Sequence, residues 1–307
     1  MAQGLPACRH RHYRALALKN MFSERALCHI IASMISITRR LMSEVRTRSY
    51  GSAAVITVSN PPHGYMTHDL VGELLRAFRA AERDPLVRTI IFSGADAGVF
   101  IQHYELAELE ALSRKLTGRG DRYAEHDHTP EREMDILFKR IEDSAKPVIA
   151  AINGNAMGFG CELALACDFR IAERGNYMLG QPEILVGLVP GAGGTQRLAR
   201  IVGAAHALDL VLFGRRLSPA QALAIGLVHE VSSGPVLDLA LEWAKRFDAL
   251  SATAIAHGKR LVHQAGVTSL QEGLQKERAL FVDTLATPEA HERLNRALRE
   301  GCDFRTV

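Results

Sequence analysis

The feature that most constrains how this chain can fold is residues 146–200, KPVIAAINGNAMGFGCELALACDFRIAERGNYMLGQPEILVGLVPGAGGTQRLAR. PVIAAIN (147–153) is β-branched and apolar, the pattern of a buried strand. Gly154, Gly158 and Gly160 punctuate the next residues, and CELALAC (161–167) then runs without a breaker, so a helix is predicted to start at the glycines. Glu162 falls in the first turn of that helix, where unpaired backbone N–H groups and the helix dipole favour negative charge. Glu183 follows in GQPEI, between Pro182 and Ile184. Two carboxylates in apolar surroundings, one beside a helix N-terminus, are the parts needed to hold a water for proton transfer.

Upstream, AAVITVSNPP (53–62) reads as a strand ended by a Pro-Pro turn. From Thr67, a candidate cap, Leu70, Val71, Leu74, Leu75, Phe78 and Ala81 follow helical spacing. Asp84-Pro85 ends this helix, and VRTIIFSG (87–94) is the next buried strand, so strand, helix and strand predict an α/β core. TGRGDRYAEHDHTPERE (117–133) reads as a solvated loop; no Cys/His cluster lies near His126 and His128 in sequence, so no metal site is predicted. MDILFKRIEDS (134–144) is amphipathic and FRIA (169–172) is strand-like. PGAGGTQRL (190–198) lacks the Lys-Ser/Thr ending of a phosphate loop and the dinucleotide glycine spacing; its glycines are read as a close turn behind Glu183. Beyond Ala204 the pattern is mostly helical, with LVHEVSS a last strand-like piece and helices expected at about 236–249, 252–265 and 268–300, the last broken near Thr287-Pro288. His257, His263 and Trp243, which sit among these helices, are assigned packing or surface roles.

GCELALACD, GQPEI and PGAGGTQRL closely resemble the signature region of the enoyl-CoA hydratase/isomerase (crotonase) superfamily. The resemblance is strong over residues 146–231 and weaker over 55–298. It implies an α/β fold, a crotonase-like spiral of β-β-α units with a C-terminal helical segment. It implies that Glu162 and Glu183 match the two acid/base glutamates of the hydratases, and that the N–H of Phe159 matches one oxyanion-hole donor. Tyr104 falls where the second donor is expected, within FIQHYE, where His103 stands in place of a glycine and Glu105 in place of an aspartate helix cap. The implied chemistry is hydration of a 2-enoyl-CoA to a 3-hydroxyacyl-CoA through a thioester enolate, with no cofactor beyond the CoA of the substrate. The alternatives are an isomerase or another enolate-using acyl-CoA enzyme and, from another class, a catalytically silent or RNA-associated member. The family analogue of the C-terminal helices builds trimer contacts, so a homotrimer or a hexamer made of two trimers is expected.

Charge divides the chain. The formal net charge is +3, but residues 1–41 carry seven Lys/Arg against Glu24 alone, a net of +6, which leaves −3 on the remainder. The expected organisation is a basic extension (1–45), an α/β core (46–235) and a helical segment (236–307). Three readings of the extension stand beside one another: a transit peptide, which would place the protein in the mitochondrial matrix; a disordered tail; or an upstream start with translation beginning at Met42. A nucleic-acid-binding arm lacks an accompanying aromatic platform, and the acidic remainder argues against RNA binding elsewhere. ALCHIIASMISI (26–37) is too short to span a membrane. Five scattered cysteines without a CxxC pair are expected to be free thiols in a reducing compartment such as the cytoplasm.

Overall fold

The computed structural model describes residues 43–120 and 122–301. The basic leader, with the readings attached to it, and Cys8, Cys28 and Cys302 lie outside the described residues. An antiparallel hairpin, β1 (Glu44–Tyr50) and β2 (Ala53–Ser59), is followed by α1 (His68–Arg83), capped by the Thr67 side chain. Then come β3 (Thr89–Gly94), β4 (Gly98–Ile101), α2 (Leu106–Arg119) and α3 (Glu133–Asp143). The next turn is β5 (Val148–Ile152), β6 (Gly154–Met157) and α4 (Phe159–Ala166). The third is β7 (Phe169–Glu173), β8 (Leu179–Gly180), a 3-10 turn (Glu183–Val186) and α5 (Gly194–Leu212). After β9 (Arg216–Leu217), α6 (Pro219–Ala224) and β10 (Glu230–Ser232), the chain runs through α7 (Val236–Asp248), α8 (Ala252–Gln264), α9 (Leu270–Leu285) and α10 (Pro288–Glu300).

The repeating ββα plan is a spiral in which each turn gives one strand to each of two sheets. One sheet has the order β1-β2-β3-β5-β7-β10, parallel from β2 onward; the other has the order β4-β6-β8-β9. Crossing between sheets demands a tight corner, and Asn153-Gly154 shows how it is made. A Cβ on Gly154 would lie 1.9 Å from the Gly98 carbonyl carbon, so only glycine fits there. Asn153 ties the neighbouring corner, its Oδ1 accepting from Gly94 N (2.9 Å) and its Nδ2 donating to Gly94 O (3.1 Å).

Strand periodicity explains the two faces of the larger sheet. Ile56, Ile90, Phe92, Val148 and Ala150 join the core beneath α1, α3 and α4; Val55, Ile91, Ile149 and Ala151 point the other way, against Val236, Ala240 and Ala244 of α7. Each fully buried Ile or Phe contributes on the order of 1.5–3 kcal/mol, so both faces are strongly specified. The strand β1 begins within the 1–45 stretch expected to be the basic extension: it is an edge strand whose largely polar sequence contributes only Val45 against the core. The C-terminal helices start at Ser251, Ser269 and Thr287 caps, with the expected break at Thr287-Pro288. None of α8, α9 or α10 has a fully buried residue. Lys259 and His263 of α8 both reach the Asp168 carboxylate at 2.8 Å, so His263 is a tie between that helix and the core. Trp243 packs edge-on against Phe169 at 5.4 Å. Among the described residues no helix is long and apolar enough to cross a membrane.

Candidate active site

Strand β6 ends at Met157, and Gly158 turns the chain (φ +52°) into α4, whose eight residues are all buried. Glu162 is therefore a carboxylate in an apolar helix, only 3% exposed. Its Oε1 accepts from Ala192 N (2.7 Å) and Gly194 N (2.9 Å). The glycine turn read from sequence as backing Glu183 instead cups Glu162. Two arginines hold that turn: Arg132 Nη2 donates to Gly191 O and Arg197 Nη1 donates to Ala192 O (2.8 Å). A trans peptide points its C=O and N–H in opposite directions. The peptide whose carbonyl meets Arg132 thus presents Ala192 N–H to Glu162, and polarises it toward that anion. Arg197 is itself fixed by Glu142 (2.6 and 2.9 Å) and lies over the Phe138 ring. Burial pushes the Glu162 carboxyl up, opposed by the two N–H donors and by Arg197 and Arg132.

Glu183 opens the 3-10 turn on the opposite wall. Gln181, fully buried, donates Nε2 to both carboxylate oxygens (3.0 and 3.1 Å) once its amide is turned nitrogen-inward. Burial first, and the charge of Glu162 in addition, raise this carboxyl to about 7. The carboxylate rests against Gly158, where a Cβ would lie 2.8 Å from Oε1. Positive φ and this contact both require glycine at that position.

The backbone donors follow from local geometry. Phe159 is the first residue of α4, so its N–H has no intrahelical acceptor. Tyr104 forms an isolated parallel bridge with Met66: Met66 N donates to His103 O (2.7 Å) and Glu105 N to Met66 O (2.8 Å). The His103–Tyr104 peptide accepts on one side, so Tyr104 N–H points away from Met66. Among the described residues neither N–H has a protein acceptor. His103 needs no positive φ, since no described residue other than glycine has one. Its Nδ1 donates to Tyr104 O (2.6 Å) and its ring stacks on Tyr65 (4.2 Å). Glu105 does cap α2, accepting from Ala107 N (3.1 Å).

Tyr104, Phe159, Glu162 and Glu183 all line one cavity of about 720 Å³. The Phe159 ring itself belongs to the core, 5.3 Å from Phe138. The Tyr104 ring is half-buried on the cavity wall. Cys161, behind the two glutamates, is pushed up to about 12 by burial, and Cys167 is pushed up likewise; both are free thiols. His126 and His128 are exposed, and among the described residues no group of three or more His, Cys, Asp or Glu is placed to hold a metal ion. Sequence reasoning missed Gln181, Arg132 and Arg197. The first directly precedes the PE pair, which is a usable signal; Arg132 is hidden at the end of a segment that reads as a loop.

A model of the family described as enoyl-CoA hydratase/isomerase matches residues 48–299. The chain belongs to the enoyl-CoA hydratase/isomerase family. It is 37% identical over 225 residues to the mitochondrial enoyl-CoA hydratase of Pongo abelii, covering 73% of this chain and 72% of that one. It is 34% identical over 261 residues to the 2,3-dehydroadipyl-CoA hydratase of Escherichia coli K12, covering 84% and 97%. Among solved structures, an enoyl-CoA hydratase from Polaromonas sp. JS666 superposes with a TM-score of 0.75 at 31% identity, covering 83% and 97%. The expected ββα spiral with its helical C-terminal segment is thus the family's fold.

Proposed function

We propose that this member of the family hydrates a 2-enoyl-CoA to the 3-hydroxyacyl-CoA. The observation that carries the reading is the convergence, in one cavity, of a buried and a half-buried carboxylate with two backbone N–H groups that have no acceptor among the described residues. The thioester oxygen sits between the N–H groups of Tyr104 and Phe159, which stabilise the enolate; one such donor is typically worth about 2.7–4 kcal/mol. Glu162 keeps its charge through the Ala192 and Gly194 donors on Oε1, which leaves Oε2 to take a proton from the attacking water. Glu183, poised near neutrality, delivers a proton to the α-carbon as the water oxygen bonds to the β-carbon. Net, one water adds across the double bond, and proton exchange with solvent resets the two acids.

The protein works as a trimer or a pair of trimers: Leu270, Phe281, Val282 and Leu298 on the helices after residue 252 are exposed apolar side chains that further copies would cover. It acts in a reducing compartment, the cytoplasm, or the mitochondrial matrix where the basic leader directs import. The test is a panel of trans-2-enoyl-CoAs followed by loss of the conjugated thioester absorbance, with light scattering for the assembly. Hydration of none of the panel would overturn the reading.

A further inference from the structure

The cavity wall beyond the two acids is mostly apolar, with His68, His103, Tyr104, Glu108, Glu131, Arg132 and Glu133 set into it. Val71, Leu109, Leu112, Met134, Val186 and Val189 are interrupted by the Tyr104 hydroxyl, Glu108 and Arg132. These three form a local cluster: Glu108 and Arg132 are both near enough to act on the Tyr104 hydroxyl, and Arg132 acts on Glu162 as well as on Tyr104. The cluster therefore lies alongside the reacting centre, on the wall of the same cavity. Glu108 is held in place because His68 N donates to its Oε2 (3.0 Å). Arg132 commits Nε and Nη2 to Asp135 and to Gly191 O, and among the described residues Nη1 has no protein acceptor. An apolar acyl tail would set hydrocarbon against the cavity-facing edges of the phenol and the carboxylate, which is unfavourable, while Arg132 keeps part of its guanidinium in water.

We infer that the preferred substrate carries a hydroxyl group on its acyl tail, received by Arg132 Nη1 as donor and by Glu108 and the Tyr104 oxygen as acceptors. A hydroxyl both gives and accepts a hydrogen bond, matching a cluster that contains both kinds of partner. A tail ending in a carboxylate can only accept, and would enter a wall that also carries Glu131, Glu133, Glu162 and Glu183 against the single arginine. The inference rests on the hydratase reading and deepens it by naming the substrate class. Selectivity for the hydroxyl is about tenfold rather than the thousands a sealed polar pocket gives, because Arg132 is half exposed to water.

The experiment compares kcat/KM for hex-2-enoyl-CoA, its 4-, 5- and 6-hydroxy derivatives and 2,3-dehydroadipyl-CoA, with crotonyl-CoA as control. Wild type and the Tyr104→Phe and Glu108→Gln variants are each measured, and only the ratio of hydroxylated to plain hexenoyl substrate is read, so that a general loss of turnover cancels. The expected result is a ratio of about ten for at least one hydroxyl position in the wild type, falling to near one in both variants. A wild-type ratio of one or less, a ratio unmoved by both substitutions, or a preference for the carboxylate substrate overturns the inference. Crotonyl-CoA separates the two levels: its hydration together with a flat ratio removes only the hydroxyl assignment, whereas no hydration of any substrate removes the hydratase reading beneath it.

Discussion

The two acids occupy walls of different construction. Glu162 sits in a helix that is buried on all sides, and its charge is met by two backbone donors; Arg132 braces the peptide of the first from behind, and Arg197 holds the Ala192 carbonyl between them. Glu183 stands on a four-residue 3-10 turn whose following residues, Leu185 and Val186, are exposed, and its side-chain partner is the neutral amide of Gln181. Burial raises both carboxyls; at Glu162 two backbone donors and two cations push back, whereas at Glu183 its own backbone N–H opposes the rise and the charge of Glu162 adds to it. The difference assigns the tasks: a carboxylate supported by cations is the base for water, and one without them, near neutrality at pH 7, is the acid for carbon. Opposed environments for two titratable neighbours are how one site runs both proton transfers.

The most direct way to break this comparison is to remove each acid. Glu162→Gln and Glu183→Gln should each cut hydration about 1000-fold at unchanged far-UV circular dichroism, and a folded variant with near-wild-type turnover would strike that residue from the mechanism. The pH profile distinguishes them. Hydration needs Glu183 protonated, so kcat/KM should fall as pH rises through about 7, and because the overall reaction takes up no proton, kcat/KM for the reverse dehydration should fall in parallel. A kcat/KM for hydration that stays flat through about 7 would contradict the assignment of tasks.

Gly158→Ala tests the point where the walls meet. Its Cβ would press on Glu183 Oε1 at 2.8 Å and would hold an L-residue at φ +52° beside the Phe159 donor. Turnover should fall about 100-fold, with about 1–2 kcal/mol of stability lost in urea melts. Arg197→Met is milder. It releases the Ala192 carbonyl and removes a cation that lowers the Glu162 carboxyl, so kcat should fall about tenfold and the acid limb should move to higher pH. An unmoved acid limb would show that the arginine braces the turn without tuning the base.

How much of this contrast is legible in the sequence depends on chain distance. The strand PVIAAIN, a helix start at the glycines (realised at Phe159, after Gly158) and the place of Glu162 in its first turn are local patterns, and all three stand in the fold. The support of Glu162 is not local: its donors are 30 and 32 residues away, and Arg132 approaches from before β5. A glycine-rich turn looks the same in sequence whichever carboxylate it serves, which is why PGAGG reads as backing the nearer glutamate. The second sheet is equally hidden, because β8 and β9 have two residues each and a period of two cannot show in so short a run. Of the departures at residues 103–105, Glu105 is an adequate cap and His103 has an ordinary backbone conformation, because the bridge to Met66 fixes the peptide there whatever the side chain.

The smallest expected effect concerns stability, and it sharpens the comparison without reference to turnover. A carboxyl whose folded-state value is raised from 4.5 to about 7 binds its proton more tightly when folded than when unfolded. Its contribution is fully present below the unfolded value, and is lost progressively as pH rises from about 4.5 through about 7. Above that range the folded protein holds an ionised Glu183 that burial disfavours and that its own backbone N–H and the neutral Gln181 amide support without any cation. Glu183→Gln removes the ionisation and keeps an oxygen for the Gln181 amide. The variant should therefore match wild type at pH 5 and exceed it at pH 8, by about 2 kcal/mol after allowing for partial exposure of the side chain. Glu162→Gln should show no such gain, because it leaves Ala192 and Gly194 N–H groups facing a weaker acceptor while Arg132 and Arg197 lose the charge they serve. Chemical denaturation of both variants at the two pH values measures the difference. Equal pH dependence in the two would mean that the walls support their acids alike, and the division of labour drawn from their construction would fall.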